Sequence, residues 1–375
     1  MMIATYQSKP GGRLAVLGAI LIAFAASALA QDSLQQYTQT NLVSNQAGAV
    51  QSPDQDLVNS WGLSRSSSSP WWVSDNGSGK ATLYDGGGTK QARVVTIPTG
   101  DPSVSATGTP TGTIFNGSSI DFLLAPGKPA LFLFVTEDGT VSGWNPGVNP
   151  TEAVIEVNEK GKSVFKGGTI AQVNKGGVSA TYLYVADFRR GRVRVYDTTF
   201  HHVPVGEERF DDDRLPEGYA PFNIQNIGGN LYVSFAKQDD KKHDEVDGPG
   251  FGYVDVFSPW GRLLLRLEHG PWFNAPWGLT LASSDFGLFS HDALVGQFGS
   301  GEILAFNPVT GEFEGKLLNT SNQPITIDGL WALAFGNGAT AGPATSLFFT
   351  AGPNQESNGL FGTITAVQKI QGNDE

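Results

Sequence analysis

One short apolar element recurs six times along the chain, and this recurrence limits the fold more than any other feature. It reads NSWGLS around Leu63, SSIDF around Ile120, GTIAQV around Ile170, FNIQNI around Ile224, PWGLTL around Leu279 and LWALAF around Leu333, at spacings of 50 to 57 residues. A period of that size marks an array of supersecondary units, none of which can bury its apolar face alone. Each anchor is followed by a second apolar element, at Val73, Val135, Val185, Val233, Val295 and Phe349. A third closes on an aromatic residue and an Asx or Ser, as in Tyr84-Asp85, Trp144-Asn145, Tyr196-Asp197, Phe257-Ser258 and Phe306-Asn307. Aromatic or β-branched residues running into Asx and Gly or Pro are strand-then-turn chemistry. Fourth strands follow as ARVVTI, TEAVIEV, HHVPVG, RLLLRL and EFEGKLL. Six four-strand units predict an all-β chain, a six-bladed β-propeller of antiparallel sheets packed face to face around a channel.

The sixth copy ends after its third strand, while Tyr37-Thr-Gln-Thr-Asn-Leu-Val43 alternates as an edge strand should. The expectation is that this segment closes the ring by pairing with 361–368, removing sheet edges that invite aggregation. A single propeller domain is expected over 31–375, with its core at about 34–370. Before it, Lys9 and Arg13 precede an apolar run from Leu14 to Ala26 and then Ala28-Leu29-Ala30. That order of charged, apolar and small residues predicts a signal peptide over 1–30, cleaved near Ala30, and an exported protein. No later stretch is long and apolar enough for a spanning helix.

Composition narrows the function. Asp and Glu number 36 against 24 Lys and Arg, a formal charge of −12, which argues against a nucleic-acid partner because phosphates are held by clustered Lys and Arg. The absence of cysteine excludes disulfides, thiolate nucleophiles and zinc–thiolate sites. No H-E-x-x-H pair, G-x-S-x-G elbow or phosphate-cradling loop is present.

Through NLVSN at 41–45, NSWGL at 59–63, VADFRRGRVRVYD at 185–197, FAKQDDKKHDEVDGPGFGYVDVF at 235–257 and NAPWGL at 274–279, the chain resembles an uncharacterised family of exported bacterial β-propeller proteins, some with a PEP-type C-terminal sorting tail. More distantly it is similar to NHL-type six-bladed propellers. That fold implies either partner-binding modules or calcium-dependent lactonases, so the choice falls to the site.

In a propeller, the loops from strand two to three and from strand four to the next strand one open on one face, at the channel mouth. Asp75, Glu137 and Asp187 lie in such loops, and Asn223, Asn274 and Trp272 are further candidates for that mouth. The longest insert, 236–250, carries Asp239, Asp240, Asp244 and Asp247 on a flexible stretch, an oxygen-rich set suited to Ca²⁺. A cation held with Asn223 would suit metal-assisted lactone hydrolysis, with Asp75, Glu137 or Asp187 activating water. The favoured reading is a non-catalytic module binding a protein, carbohydrate or small molecule on this loop-rich face.

Overall fold

The computed structural model describes residues 36–367, apart from 47, 49, 51, 176, 207 and 208; the expected signal peptide lies outside the described residues. Six antiparallel sheets make up the six blades of a β-propeller. Blade 1 runs through Ser60–Ser64, Trp71–Asp75, Lys80–Tyr84 and Lys90–Thr96. Blade 2 comprises Pro110–Phe115, Phe132–Thr136, Thr140–Trp144 and Val154–Asn158. Blade 3 comprises Phe165–Lys175, Val178–Asp187, Arg192–Tyr196 and His202–Val203. Blade 4 uses Tyr219–Ile227, Asn230–Gln238, Tyr253–Phe257 and Leu263–Arg266, and blade 5 uses Pro276–Leu281, Ala293–Gln297, Ile303–Phe306 and Phe313–Lys316. Blade 6 is built from Leu330–Phe335, Leu347–Ala351 and Leu360–Ala366, with Tyr37–Ser44 antiparallel to the last of these, Tyr37 opposite Ala366 and Ser44 opposite Leu360. Among the described residues the helical content is one 3₁₀ turn, Gly287–Phe289, and no helix is long and apolar enough to cross a membrane.

The first strands touch their neighbours in order around the ring, from blade 1 to blade 6 and back to blade 1. Each carries an irregularity near its start, and there the structure corrects one sequence expectation. The first strand of blade 2 is Pro110–Phe115, whereas Ile120 is an exposed residue in the loop that follows. The strand was illegible because its sequence, PTGTIF, holds little apolar bulk. Inner strands crowd the channel: a Cβ on Gly62 would lie 2.2 Å from the Thr111 carbonyl oxygen, and one on Gly278 would lie 2.6 Å from that of Trp331. Glycine is the residue that permits such backbone approach.

Between blades, apolar side chains interdigitate. Tyr184, Ile224, Val233 and Phe257 fill one such gap, and Phe273, Val295, Leu304 and Phe306 another. One polar group is also shut in. Arg266 forms an ion pair with Asp212, and Asp255, 2 % exposed, lies against that pair with its Oδ2 facing no donor among the described residues. Burial, reinforced by the charge of Asp212, pushes the Asp255 carboxyl up to about 8, so it carries the proton it shares with Asp212. A raised carboxyl stabilises the fold most below its unfolded value, and that contribution is lost as pH rises through about 8. Asp255→Asn, which keeps a donor toward Asp212, is therefore expected to gain about 1–3 kcal/mol at pH 8.5. Urea melts at pH 4.5 and 8.5 check this, since the gain should vanish at the lower pH.

Candidate functional site

The irregularity in each first strand places one bulged residue at the channel mouth. Six positions correspond: Trp61, Thr111, Lys166, Phe222, Trp277 and Trp331, each lying where the register between first and second strand shifts. A bulge sets an extra residue off the ladder and re-aims its side chain. Here the aromatic members plug the channel. Trp61 stacks on Trp331 at 3.7 Å between centroids, Phe298 stacks on the same indole at 4.1 Å, and Trp277 meets it edge-on at 5.9 Å.

Lys166 is the charged member of this ring. Its side chain is 1 % exposed and its Nζ sits 5.0 Å from the centre of the Trp61 ring, with Phe188 and Phe222 within 6 Å. A buried ammonium requires counter-charge, and three carboxylates supply it. Nζ donates to Glu137 Oε1 at 2.7 Å, reaches Asp244 Oδ1 at 3.4 Å and lies 3.8 Å from Glu245 Oε2. Burial works against the ammonium, but Glu137, Glu245 and Asp244 outweigh it and hold its pKa above the ordinary lysine value.

The polar contacts run on across the mouth. Asn76 Nδ2 donates to Glu137 Oε2 at 2.8 Å. Asn59 Nδ2 donates to Glu356 Oε2 at 2.5 Å, and Asn59 Oδ1 accepts the Trp331 indole N–H at 2.9 Å. His243 Nδ1 donates to Asp244 Oδ1 at 2.8 Å, and that hydrogen bond, with Lys166 adding to it against burial, holds Asp244 down at about 2. Burial pushes Glu245 up to about 7, with Lys166 opposing, and likewise raises Glu356 against its bond from Asn59. Asn354, Gln355 and Glu356 carry positive φ in succession, 57°, 53° and 60°, to present Glu356 here.

The sequence candidates fall on both sides of this geometry. Glu137 stands at its centre. Asp75 and Asp187 end the second strands of blades 1 and 3, where each is fully buried; Asp75 accepts from Thr82 of the third strand and Asp187 from Ser163, which lies just ahead of the first strand, and burial raises the pKa of both. The next residues, Asn76 and Phe188, face the mouth instead, because successive side chains of a strand point to opposite sides. Asn223 donates to the Trp277 carbonyl and accepts from the Ile224 N–H, so it is a strut of the channel wall. Asn274 accepts from Gly248 N–H and anchors the end of the blade 4 insert, and Trp272 stacks on Phe313 at 4.2 Å between blades 4 and 5.

In that insert, Asp239 caps its own turn by accepting from the N–H groups of His243 and Asp244, while Asp240 and Asp247 are exposed. The group that could hold a metal is different: Glu137, His243 and Asp244, whose ligand atoms lie within 4.8 Å of one another. Two oxygens and an imidazole fall short of the six to eight oxygens that calcium takes. Lys166 already puts a positive charge on two of those three donors. The residues sequence reasoning passed over are Lys166, Glu356 and Asn76. One signal was present: KGGT at 166–169 puts lysine where blades 1, 5 and 6 place tryptophan.

Comparison with known proteins adds relatives and a fold. No protein-family model matches the chain. It is 32% identical over 339 residues to uncharacterized protein R648 of Acanthamoeba polyphaga mimivirus, covering 88% of this chain and 80% of that protein. Against uncharacterized protein L690 of the same virus the identity is 31% over 339 residues, covering 88% and 86%. A solved structure from Bacteroides thetaiotaomicron superposes with a TM-score of 0.52 at 10% identity, over 88% of this chain and 76% of that one, which speaks to the fold alone. These relatives are viral, and they do not support the exported bacterial family that the sequence motifs suggested.

Proposed function

The chain belongs to the family that includes the mimivirus proteins R648 and L690, and from its site we propose that it is a non-catalytic binding module whose channel mouth takes a positively charged group of its ligand. The observation that carries this reading is the unequal charge count above the aromatic plug: Glu137, Asp244, Glu245 and Glu356 face one lysine and one histidine, His243. A group of carboxylates in which burial and mutual repulsion raise the pKa of two members is stabilised by added positive charge. Three successive left-handed residues, Asn354 to Glu356, support the same reading, since such backbone costs about 1–3 kcal/mol per residue and concentrates where function holds it. The ligand is an amine- or guanidinium-bearing small molecule or an exposed Lys or Arg of a protein partner. A carbohydrate partner would have to engage the surrounding loops.

Calorimetric titration with spermidine and arginine methyl ester tests the proposal. Saturable binding is expected, weakened at least tenfold in Glu137→Gln and in Glu356→Gln. Binding unchanged in both variants, or absent for both amines, sinks it. The second reading, a metal-dependent hydrolase, draws on Glu137, His243 and Asp244. Lactone turnover that is lost on chelation and in His243→Ala would put that reading first. Export after cleavage near Ala30 belongs to the same proposal, and N-terminal sequencing of the protein recovered from culture medium or periplasm tests it.

A further inference from the structure

Six of the chain's 24 Lys and Arg lie within two short segments, EKGK at 159–162 and RRGRVR at 189–194. The fold brings these segments together. The first links the last strand of blade 2 to the first of blade 3, and the second begins in the turn between the second and third strands of blade 3. Phe188, whose ring lies 5.8 Å from Lys166 Nζ, immediately precedes Arg189, so the two segments border the channel mouth.

Their backbone and side chains are tied to one another. Arg189 donates to the Gly161 carbonyl at 2.6 Å and Arg190 Nε to that of Lys162 at 3.3 Å. Glu159 accepts from Arg194 at 2.7 Å and from Arg190 at 3.3 Å, so one carboxylate is shared by two guanidinium groups. The other acid within reach is Asp187, 3.6 Å from Arg190 Nε, and burial pushes its carboxyl above the usual range. Among the described residues, six cations thus face two carboxyls. His202 of the fourth strand responds to this field: burial lowers its pKa, and Arg194, Arg192 and Arg190 lower it further against Glu159. Arg194 is 7 % exposed, and its Nε has no acceptor among the described residues. Lys160, Lys162 and Arg192 are exposed.

We propose that these two segments form a docking surface, beside the channel mouth, for a short acidic segment of a protein partner. The sign follows from complementarity, since clustered cations on a chain of formal charge −12 draw an anion to one place. The surroundings set its size. Glu137, Asp244 and Glu245 crowd Lys166 just beyond Phe188, and Asp239 and Asp240 follow Gln238, whose amide donates to the Phe188 carbonyl. A nucleic acid, charged at every unit along its length, would run onto those acids and be repelled. A run of a few Asp and Glu residues ends before them.

The probe is a fluorescein-labelled octapeptide of alternating Asp and Glu, titrated with the whole protein and read by anisotropy. Saturable binding is expected in about 50 mM salt, at least tenfold tighter than that of the Asn-Gln octapeptide and weakened at least tenfold in about 300 mM salt. Lys160→Glu combined with Arg192→Glu should weaken it at least tenfold; neither side chain makes a hydrogen bond or ion pair among the described residues, so the fold is spared. Lys128→Glu combined with Arg262→Glu changes the net charge equally, at exposed residues in loops of the other class in blades 2 and 4, and should leave binding as in the parent. Equal weakening by both pairs, an octathymidylate binding as tightly as the acidic peptide, or no saturation overturns the proposal.

Discussion

Lys166→Met is expected to cost about 3–5 kcal/mol at pH 8, because it leaves Glu137, Glu245 and Asp244 without the charge that neutralises them. Methionine nearly matches the lysine stem in volume, so packing against Trp61, Phe188 and Phe222 changes little. The loss should depend on pH in a defined direction. Without the ammonium, Glu245, already at about 7 through burial, rises further. A carboxyl with a raised folded-state pKa contributes stability below its unfolded value and loses it as pH rises through the folded value. The variant should therefore approach the parent near pH 4.5 and fall away from it up to pH 8 and beyond. Denaturant melts at both ends of that range decide the matter, and an equal loss at both would mean that packing, not charge, is what Lys166 supplies. Adding Glu137→Gln to Lys166→Met should recover part of the loss, a coupling that independent sites would not show.

The second large effect concerns Tyr37–Ser44. Tyr37 is fully buried, donates its hydroxyl to the Phe286 carbonyl at 3.0 Å and packs against Phe286 and Phe289 beside blade 5. At the other end of the strand, Val43 packs in a cluster with Trp71 and Tyr84 of blade 1 and Phe348 and Phe361 of blade 6. One strand thus ties blade 6 to both of its neighbours. A protein beginning after Ser44 is expected to lose its cooperative transition, since two apolar clusters and the edge of Leu360–Ala366 would be laid open together. Tyr37→Ala should cost about 3–5 kcal/mol, and Tyr37→Phe, which removes only the hydroxyl, about 1 kcal/mol. A truncated protein that melts like the parent would show that ring integrity does not depend on this strand.

The blades were legible because each strand announces itself over five or six residues. WWVSD, LYVAD and LYVSF are runs rich in aromatic and β-branched residues, and all three became second strands with every one of these residues buried. Where the signal failed, it failed by short displacements with physical causes. Ile120 drew the first strand of blade 2 into a loop, because the true strand had given up apolar bulk so that neighbouring backbones could approach. Asp75 and Asp187 were placed at the mouth one residue early, and in a structure that alternates sides a single residue separates a buried turn ligand from a channel-facing group.

The sequence by itself determined that the chain is a β-propeller of six blades, since blade count and order follow from periodicity and turn chemistry, both local properties. It also marked Tyr37–Val43 as a strand without a repeat of its own. Only the tertiary structure decided which side chains meet. Lys166 binds a glutamate 29 residues before it and an aspartate 78 residues after it, and Asn59 binds a glutamate 297 residues away. No local pattern encodes those pairings, because they arise where first strands from six separate blades converge and each bulge turns one side chain toward the same small volume.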